Sequence, residues 1–240
     1  MKRIANKWIL VLLLVLLPAG IGFSADATLN MDVKSAYVWR GITFNDSAVF
    51  QPSLNVTKGG FGVNVWGNYD FDDYDGKLAD KHQFSEIDLT LSYSYSLKFV
   101  DLSAGYIEYT FPSTGGPAGR EVYGTISNSP VKGLTLTFAA YYELELVEDY
   151  YLNFAASYSY DINDKLGVSV GASAGLIGED YSQGGEAGFN EYNVYLTASY
   201  AVYKNIRLSG NIGYTDAIDE DVLPDVDVTG YGGVSLAFDF

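Results

Sequence analysis

Apolar and polar side chains alternate along most of this sequence, and the alternation runs over long stretches. The clearest stretch covers residues 84–97. Its apolar positions are Ile87, Leu89, Leu91, Tyr93, Tyr95 and Leu97, and its polar positions are Glu86, Asp88, Thr90, Ser92, Ser94 and Ser96. A period of two is that of a β-strand with one wet and one dry face. Because the usual strand has about five or six residues, this length favours an architecture built from long strands.

About twelve segments of the chain carry this alternation, which predicts an all-β fold. The fifth segment changes parity: Leu102, Ala104 and Tyr106 share one face, and Ile107 and Tyr109 share the next, which predicts a β-bulge near Tyr106. The predicted strands cover residues 28–42, 48–58, 61–71, 84–97, 100–111, 120–128, 134–143, 152–160, 166–176, 192–202, 206–214 and 226–240.

The connections between these segments alternate in length. Tight turns are predicted at 58–60, 98–100, 129–133, 161–165 and 203–205, and longer links at 72–83, 112–119, 145–149, 178–188 and 216–225. Only the first link on the long side, 43–47, is brief. An even strand count with short turns on one side and long loops on the other predicts an up-and-down antiparallel transmembrane β-barrel with periplasmic N- and C-termini.

The segment 226–240 ends the chain and has the same alternation. Its apolar positions include Leu236, Phe238 and Phe240, and no polar tail follows. A terminal strand that ends in Phe resembles the assembly signal of bacterial outer-membrane barrels. We therefore expect the C-terminal strand to engage the outer-membrane assembly machinery and to pair with the first strand, which leaves no open edge in lipid.

The N-terminus has the layout of a secretory signal peptide. Basic residues precede the apolar run 8–17, and Ala25-Asp26-Ala27 offers a small-residue cleavage pattern. The run is shorter than the about 20 apolar residues that a spanning helix needs. We predict a signal peptide over residues 1–25, with cleavage as late as residue 27, followed by one barrel domain over 28–240.

Composition excludes several function classes. The net charge of −16 disfavours nucleic acid as a partner. There is no Cys, and the single His, His82, lies in a predicted loop without a held Ser or acid, so the sequence predicts neither an enzyme nor a cofactor. A soluble β-barrel or sandwich is the alternative to a membrane barrel. Tyr and Trp near strand ends, including Tyr37, Trp39 and Tyr109, favour interfacial aromatic girdles and so the membrane barrel.

Arg40 is the leading candidate for a functional lumen residue. In a strand over 28–42 its parity matches that of Asp32 and Lys34, on the predicted lumen face. A guanidinium facing carboxylates either braces the barrel interior or forms a charged constriction that selects solutes. The candidate pore-lining residues are Arg40, Asp70, Glu86, Asp88, Glu121 and Glu143.

Acidic residues crowd two predicted loops. Such density of oxygen ligands can hold Ca²⁺ or Mg²⁺, although neither run has the spacing of an EF-hand loop. A solvated acidic surface is the alternative interpretation. The weak candidates for metal ligands are Asp72, Asp73, Asp75, Asp219 and Asp221.

Several motifs stand out within residues 30–130: Ser35-Ala36-Tyr37-Val38-Trp39-Arg40-Gly41-Ile42-Thr43, Phe50-Gln51-Pro52, the stretch from Gly62 to Trp66-Gly67, Glu86-Ile87-Asp88-Leu89, and Glu121 with Tyr123. Together they resemble the motifs of the TorF-type porins, exported proteins of Gram-negative bacteria. The long acidic loops depart from that pattern. The resemblance implies an outer-membrane barrel with a transport function. With the polar inner face it predicts a narrow porin for small solutes; the alternative is a non-conducting structural or adhesive barrel whose acidic loops bind cations or a partner.

Overall fold

The computed structural model of the protein describes residues 25–73 and 81–240, so residues 1–24 of the predicted signal peptide, and Asp75, lie outside these ranges. These residues form fourteen strands, each with side chains that alternate between two faces. Their bounds are β1 Asp26–Lys34, β2 Tyr37–Trp39, β3 Ile42–Asn45, β4 Val49–Lys58, β5 Phe61–Asp70, β6 Gln83–Ser96, β7 Asp101–Thr110, β8 Gly119–Val131, β9 Leu134–Glu143, β10 Tyr150–Asp161, β11 Leu166–Ile177, β12 Gly188–Tyr203, β13 Ile206–Ala217 and β14 Gly230–Asp239. Within the two described ranges, no helix is long and apolar enough to cross a membrane.

Twelve of these strands form one closed barrel, in which every strand pairs with an antiparallel neighbour. The barrel closes where β1 meets β14, in a register that runs from Thr28 opposite Asp239 to Lys34 opposite Gly233. The predicted all-β, up-and-down barrel of twelve strands is therefore confirmed. The remaining strands, β2 and β3, form a separate two-stranded hairpin between β1 and β4.

The two ends of the barrel differ. At one end, which we call the turn end, lie the short turns, the first residues of β1 and the last residues of β14. The opposite end, which we call the loop end, carries the links 35–48, 71–82, 111–118, 144–149, 178–187 and 218–229. Gly60 shows why one of the turns needs glycine: its φ is 89°, and a Cβ there would lie 2.6 Å from the carbonyl oxygen of Ser94.

The barrel has apolar side chains outside and polar side chains inside. Leu196 in mid-β12 is 48% exposed, and its pairing partners Val170 and Ile212 are exposed as well. By contrast, Asn68, Glu121 and Thr215 are fully buried in the interior. A soluble protein buries its apolar residues instead, so this arrangement fits a barrel whose outer surface contacts lipid.

The predicted first strand over 28–42 is wrong. The strand β1 ends at Lys34, and residues 36–47 leave the wall and fold back into the lumen. The first link, 35–48, is therefore longer than the other links at the loop end, and the predicted brief link 43–47 is wrong too. Tyr37 and Trp39 continue the spacing of Leu29, Met31 and Val33, so the alternation cannot show where the wall ends.

The predicted bulge near Tyr106 is also wrong, because β7 pairs with β6 and β8 without a shift of register. Ile107 and Tyr109 lie on the lumen side of β7, where Ile107 pairs with Thr90 and Tyr109 with Asp88. The change in the sequence pattern reflects apolar side chains that point inward. Trp39 packs on Tyr109 with ring centroids 6.2 Å apart, and Tyr37, Trp39 and Tyr109 therefore belong to the interior rather than to an interfacial girdle.

Candidate functional site

The hairpin formed by β2 and β3 spans the lumen at the loop end. It reaches wall strands on several sides of the barrel: Tyr37 packs against Trp66 of β5 and donates a hydrogen bond to Glu86 of β6 (2.9 Å). On the far side, Asn190 of β12 donates to the main-chain oxygen of Arg40 (2.8 Å). The hairpin therefore crosses the interior instead of lining one wall.

Arg40 lies at the tip of the hairpin and is held by a buried carboxylate. Its Nη1 and Nη2 donate to Oε1 and Oε2 of Glu121 at 2.7 and 2.9 Å. The side chains of Arg40 and Glu121 are 7% and 0% exposed. Two parallel bonds of this kind are the strongest geometry that a guanidinium and a carboxylate can form.

Aromatic rings complete the surroundings of the guanidinium. Its central carbon lies 4.1 Å from the ring centroid of Trp39, 4.8 Å from Tyr141, 4.1 Å from Tyr151 and 5.3 Å from Tyr181. These distances are within the range of cation–π attraction. The Arg40 guanidinium is thus enclosed by one carboxylate and four rings, of which only Trp39 belongs to the hairpin itself.

Hydroxyl groups fix the carboxylate in place. Tyr109 donates to Oε2 of Glu121 (2.7 Å) and Tyr181 to Oε1 (3.2 Å). Burial raises the pKa of Tyr181, which keeps its hydroxyl protonated. Burial lowers the pKa of Arg40, but the hydrogen bond and charge of Glu121 outweigh it, so the pKa of Arg40 rises above its ordinary value. The guanidinium therefore stays charged.

The tip of the hairpin needs its two consecutive residues in unusual backbone conformations. Arg40 has a φ of 52° and Gly41 a φ of 77°, both in the left-handed region. A Cβ on Gly41 would also lie 2.7 Å from a methyl carbon of Leu223 and 2.9 Å from Cβ of Glu191. Only glycine fits there, and the Arg40-Gly41 pair is what turns the chain.

The base of the hairpin is fixed by a buried amide network. Asn45 and Asn68 both donate to Oδ1 of Asp70, at 2.7 and 2.9 Å. Gln51 donates to Asn68 (3.0 Å). The candidate lumen residue Asp70 therefore anchors the end of the hairpin to β5.

Two further loops cover the hairpin from the loop end. Val222 and Leu223 of the link 218–229 are buried, with Val222 packed in a cluster with Tyr151 and Ile177. The main-chain N–H of Val228 donates to the hydroxyl of Thr43 (3.1 Å). Tyr181 comes from the link 178–187. The hairpin and these two links thus fill most of the loop-end half of the lumen.

A cavity of about 380 Å³ lies beside the hairpin. Tyr109, which donates to the Glu121 carboxylate, lines this cavity, and so does Trp39, which packs on Tyr109. Asp88 contributes a buried Oδ1 that has no hydrogen-bond partner among the described residues. The other lining residues are Lys34, Ala36, Tyr37, Val38, Gln51, Ser53, Asn64, Trp66, Thr90, Ile107 and Tyr231.

The predicted site residues therefore fall into four groups. Arg40 and Glu121 form the ion pair, Glu86 and Asp88 lie on β6 beside Tyr37, and Asp70 holds the hairpin base. Glu143 has another role: its Oε2 accepts four main-chain N–H groups, those of residues 145–148, at 2.6 to 3.2 Å. Its carboxylate orders the link 144–149.

The acidic loop residues make local contacts. Asp72 pairs with Lys81 at 3.0 Å in an exposed position, and Asp219 accepts the main-chain N–H of Asp221 (3.0 Å). Among residues 25–73 and 81–240, no group of three or more acidic or His side chains is placed to hold a metal ion.

Sequence reasoning missed the tyrosines that enclose Arg40. Tyr141 and Tyr151 occupy polar-face positions of β9 and β10, directly opposite each other. The remaining polar-face residues of these strands are mostly small, so the two tyrosines could have indicated a contact inside the lumen. Glu191, which accepts a hydrogen bond from Tyr151 (2.6 Å), was missed as well.

No model of a protein family matches this chain, and no characterised protein matches it by sequence. Solved structures with a similar fold are the NanC porin (12% identity, TM-score 0.57, covering 88% of this chain and 98% of that one) and the KdgM porin in complex with disordered oligogalacturonate (10% identity, TM-score 0.55, covering 90% and 99%). An outer-membrane channel from Pseudomonas putida F1 is also similar (11% identity, TM-score 0.53, covering 90% and 95%). At these identities the similarity establishes the fold, which is that of outer-membrane porins.

Proposed function

We propose that this protein is a narrow outer-membrane channel for the passive diffusion of small solutes. The observation that carries the proposal is a closed barrel with an apolar outer face and a buried polar interior. A polar interior is typical of membrane barrels whose lumen contains water or polar solutes. Twelve strands enclose more space than the filled eight-stranded barrels and less than the open porins of 16 to 18 strands.

The hairpin sets the width of the proposed channel. Arg40, Asp70, Glu86, Asp88 and Glu121 line or hold this narrow part, and Glu143 supports the neighbouring link. Of the two roles considered for Arg40, the ion pair with Glu121 supports bracing, and the position of Arg40 across the lumen supports constriction. We propose that it does both.

The signal-peptide pattern and the C-terminal strand support the proposed location and orientation of the barrel. We infer that residues 1–25 direct export, that Leu236, Phe238 and Phe240 present the terminal strand to the assembly machinery, and that the turn end faces the periplasm. Outer-membrane lipid then contacts the apolar face. Membership of the TorF-type porins is part of this proposal and is supported by the motifs within residues 30–130.

The channel is tested by recordings of the purified protein in planar bilayers. We expect small, discrete conductance steps for the wild type. A variant in which residues 36–47 are replaced by a short Gly-Ser linker should give larger steps, because the linker leaves the lumen unoccupied. Heat-modifiable gel mobility provides the control that both proteins form barrels. If both barrels leave the membrane sealed at all voltages, the protein is not a channel.

A non-conducting barrel is the second candidate, and one observation favours it. The hairpin and the links 178–187 and 218–229 fill the loop-end half of the lumen. The same recordings distinguish the two: a sealed wild type with a conducting hairpin variant indicates a barrel that is closed at rest. For an adhesive role, deletion of 218–225 should abolish surface binding.

A further inference from the structure

The surroundings of the Arg40 guanidinium are contributed mostly by the barrel and not by the hairpin. Glu121 belongs to β8, Tyr109 to β7, Tyr141 to β9 and Tyr151 to β10, and Tyr181 lies in the link 178–187. We call these five residues the cage. Removing the hairpin would leave a carboxylate, already oriented by two hydroxyl groups, facing three tyrosine rings.

Such a set of groups has the chemistry of a guanidinium receptor. A carboxylate that accepts two parallel N–H bonds matches the planar fork of a guanidinium. Aromatic faces within about 6 Å add cation–π attraction, which is strongest where water is excluded. The guanidinium of Arg40 bonds to the carboxylate and lies against the tyrosine rings, so Arg40 occupies the cage as a tethered ligand would.

A solute can reach the neighbourhood of the cage through the cavity. Tyr109 belongs to the cage and lines the cavity, and Trp39 separates the two. Asp88 adds a buried carboxylate oxygen that is unpartnered among the described residues. Glu86 lies beside it, hydrogen-bonded to Tyr37. These groups place hydrogen-bond acceptors for N–H donors beside the cage.

We propose that the cage is a binding site for small guanidinium-bearing solutes, and that such a solute takes the place of Arg40 when the hairpin moves away. The proposal rests on the proposed channel only for the route by which the solute arrives. In the resting protein Arg40 blocks the site. A bound solute would therefore stabilise the displaced position of the hairpin.

The site is tested with methylguanidine and the Arg40→Ala variant in detergent. Tryptophan fluorescence is the readout, because Trp39 lies 4.1 Å from the guanidinium carbon. We expect saturable binding with a dissociation constant on the order of 1 mM, as one paired carboxylate and a few rings provide. Methylammonium, which lacks the planar fork, should bind more weakly.

The matched control is the double variant Arg40→Ala/Glu121→Gln, which keeps the cavity and the rings but removes the carboxylate charge. Its affinity for methylguanidine should fall by about tenfold or more. Equal affinity in the two variants, or equal affinity for methylammonium, would overturn the proposal. In the wild type, half-saturation should need at least about tenfold more methylguanidine, because the tethered Arg40 competes.

The binding readout does not depend on conduction. If methylguanidine binds to Arg40→Ala but not to the double variant, the cage is a guanidinium site, whether or not the barrel conducts. A sealed membrane would then count against the channel alone. Conducting barrels with no difference between the two variants would count against the cage alone.

Discussion

The two halves of the barrel interior are lined by different kinds of side chain, although the same twelve strands build both. In the loop-end half, Arg40, Glu121 and Tyr151 fill the space with large groups in mutual contact. In the turn-end half, small hydroxyl groups face each other, such as Ser94 with Ser103 (3.1 Å) and Ser199 with Ser209 (2.9 Å). The outer apolar pattern continues through both halves. The links that fold into the loop-end half, together with the large inward side chains that they contact, therefore decide where the lumen is filled, while the strand architecture stays the same.

The largest expected effect concerns the buried ion pair of the loop-end half. Glu121→Gln leaves the Arg40 guanidinium buried without its charged partner, which should destabilise the closed position of the hairpin by about 3–5 kcal/mol. Hydrogen exchange of the main-chain amides in β2 and β3 measures this opening.

The control for that prediction is Glu145→Gln. Glu145 pairs with Arg120 at 2.6 Å, but the side chains are 49% and 41% exposed, so its loss should change stability by about 0–1 kcal/mol. Similar exchange rates in the two variants would mean that the interior of the loop-end half is wet, like the other half.

The second effect tests the wall that both halves share. Leu196 lies in the middle of β12 on the outer face, and Thr197 points into the lumen. Leu196→Arg should lower the free energy of unfolding in lipid by about 2–4 kcal/mol if it lies near the bilayer midplane, whereas Thr197→Arg should cost much less.

Urea unfolding in lipid vesicles measures both variants. Equal losses would contradict the assignment of the two faces, and with it the comparison between the halves of the lumen.

The third effect concerns the base of the hairpin. Asn45→Ala removes a buried hydrogen bond to Asp70 and should increase amide exchange in β2 and β3 by an amount equivalent to about 1–3 kcal/mol. Exchange in β12, away from this network, should not change. Faster exchange throughout the barrel would show that the hairpin and the wall unfold together.

The smallest effect belongs to the turn-end half. Ser94→Ala removes one hydroxyl from the exposed pair with Ser103, and we expect a change in unfolding free energy within about 0.5 kcal/mol. Exchange in the hairpin should be unaffected. A loss comparable to that of Asn45→Ala would show that the turn-end lumen is as tightly organised as the loop-end half.

The wall could be predicted from the sequence because its signals are local. The two-residue period of β6, for instance, follows from the pleat and from contact with two different solvents on its two sides. The alternation of short turns and longer links then predicted that these strands form an up-and-down barrel. These signals do not depend on which distant residues meet.

The interior of the loop-end half could not be predicted in this way. Tyr37 and Trp39 keep the phase of β1, so the hairpin looks like more strand, and only the Arg40-Gly41 tip could have indicated a turn. Glu121 has lumen parity and lies buried in the barrel interior, but its pairing with Arg40 depends on the hairpin. Glu143 has lumen parity too, yet at the end of β9 the unpaired N–H groups of the next link bind its carboxylate.

The attachment of the hairpin has a mechanical consequence. Lys34 and Val49, the last wall residues on either side of it, are paired with each other in the ladder between β1 and β4. The hydrogen-bonded ring of the wall is therefore complete beneath the hairpin, and swinging the hairpin outward would break none of its rungs. In this barrel the bore is set by the connecting segments at the loop end, the hairpin above all, so it can change in the course of evolution without any change in the number or register of the strands.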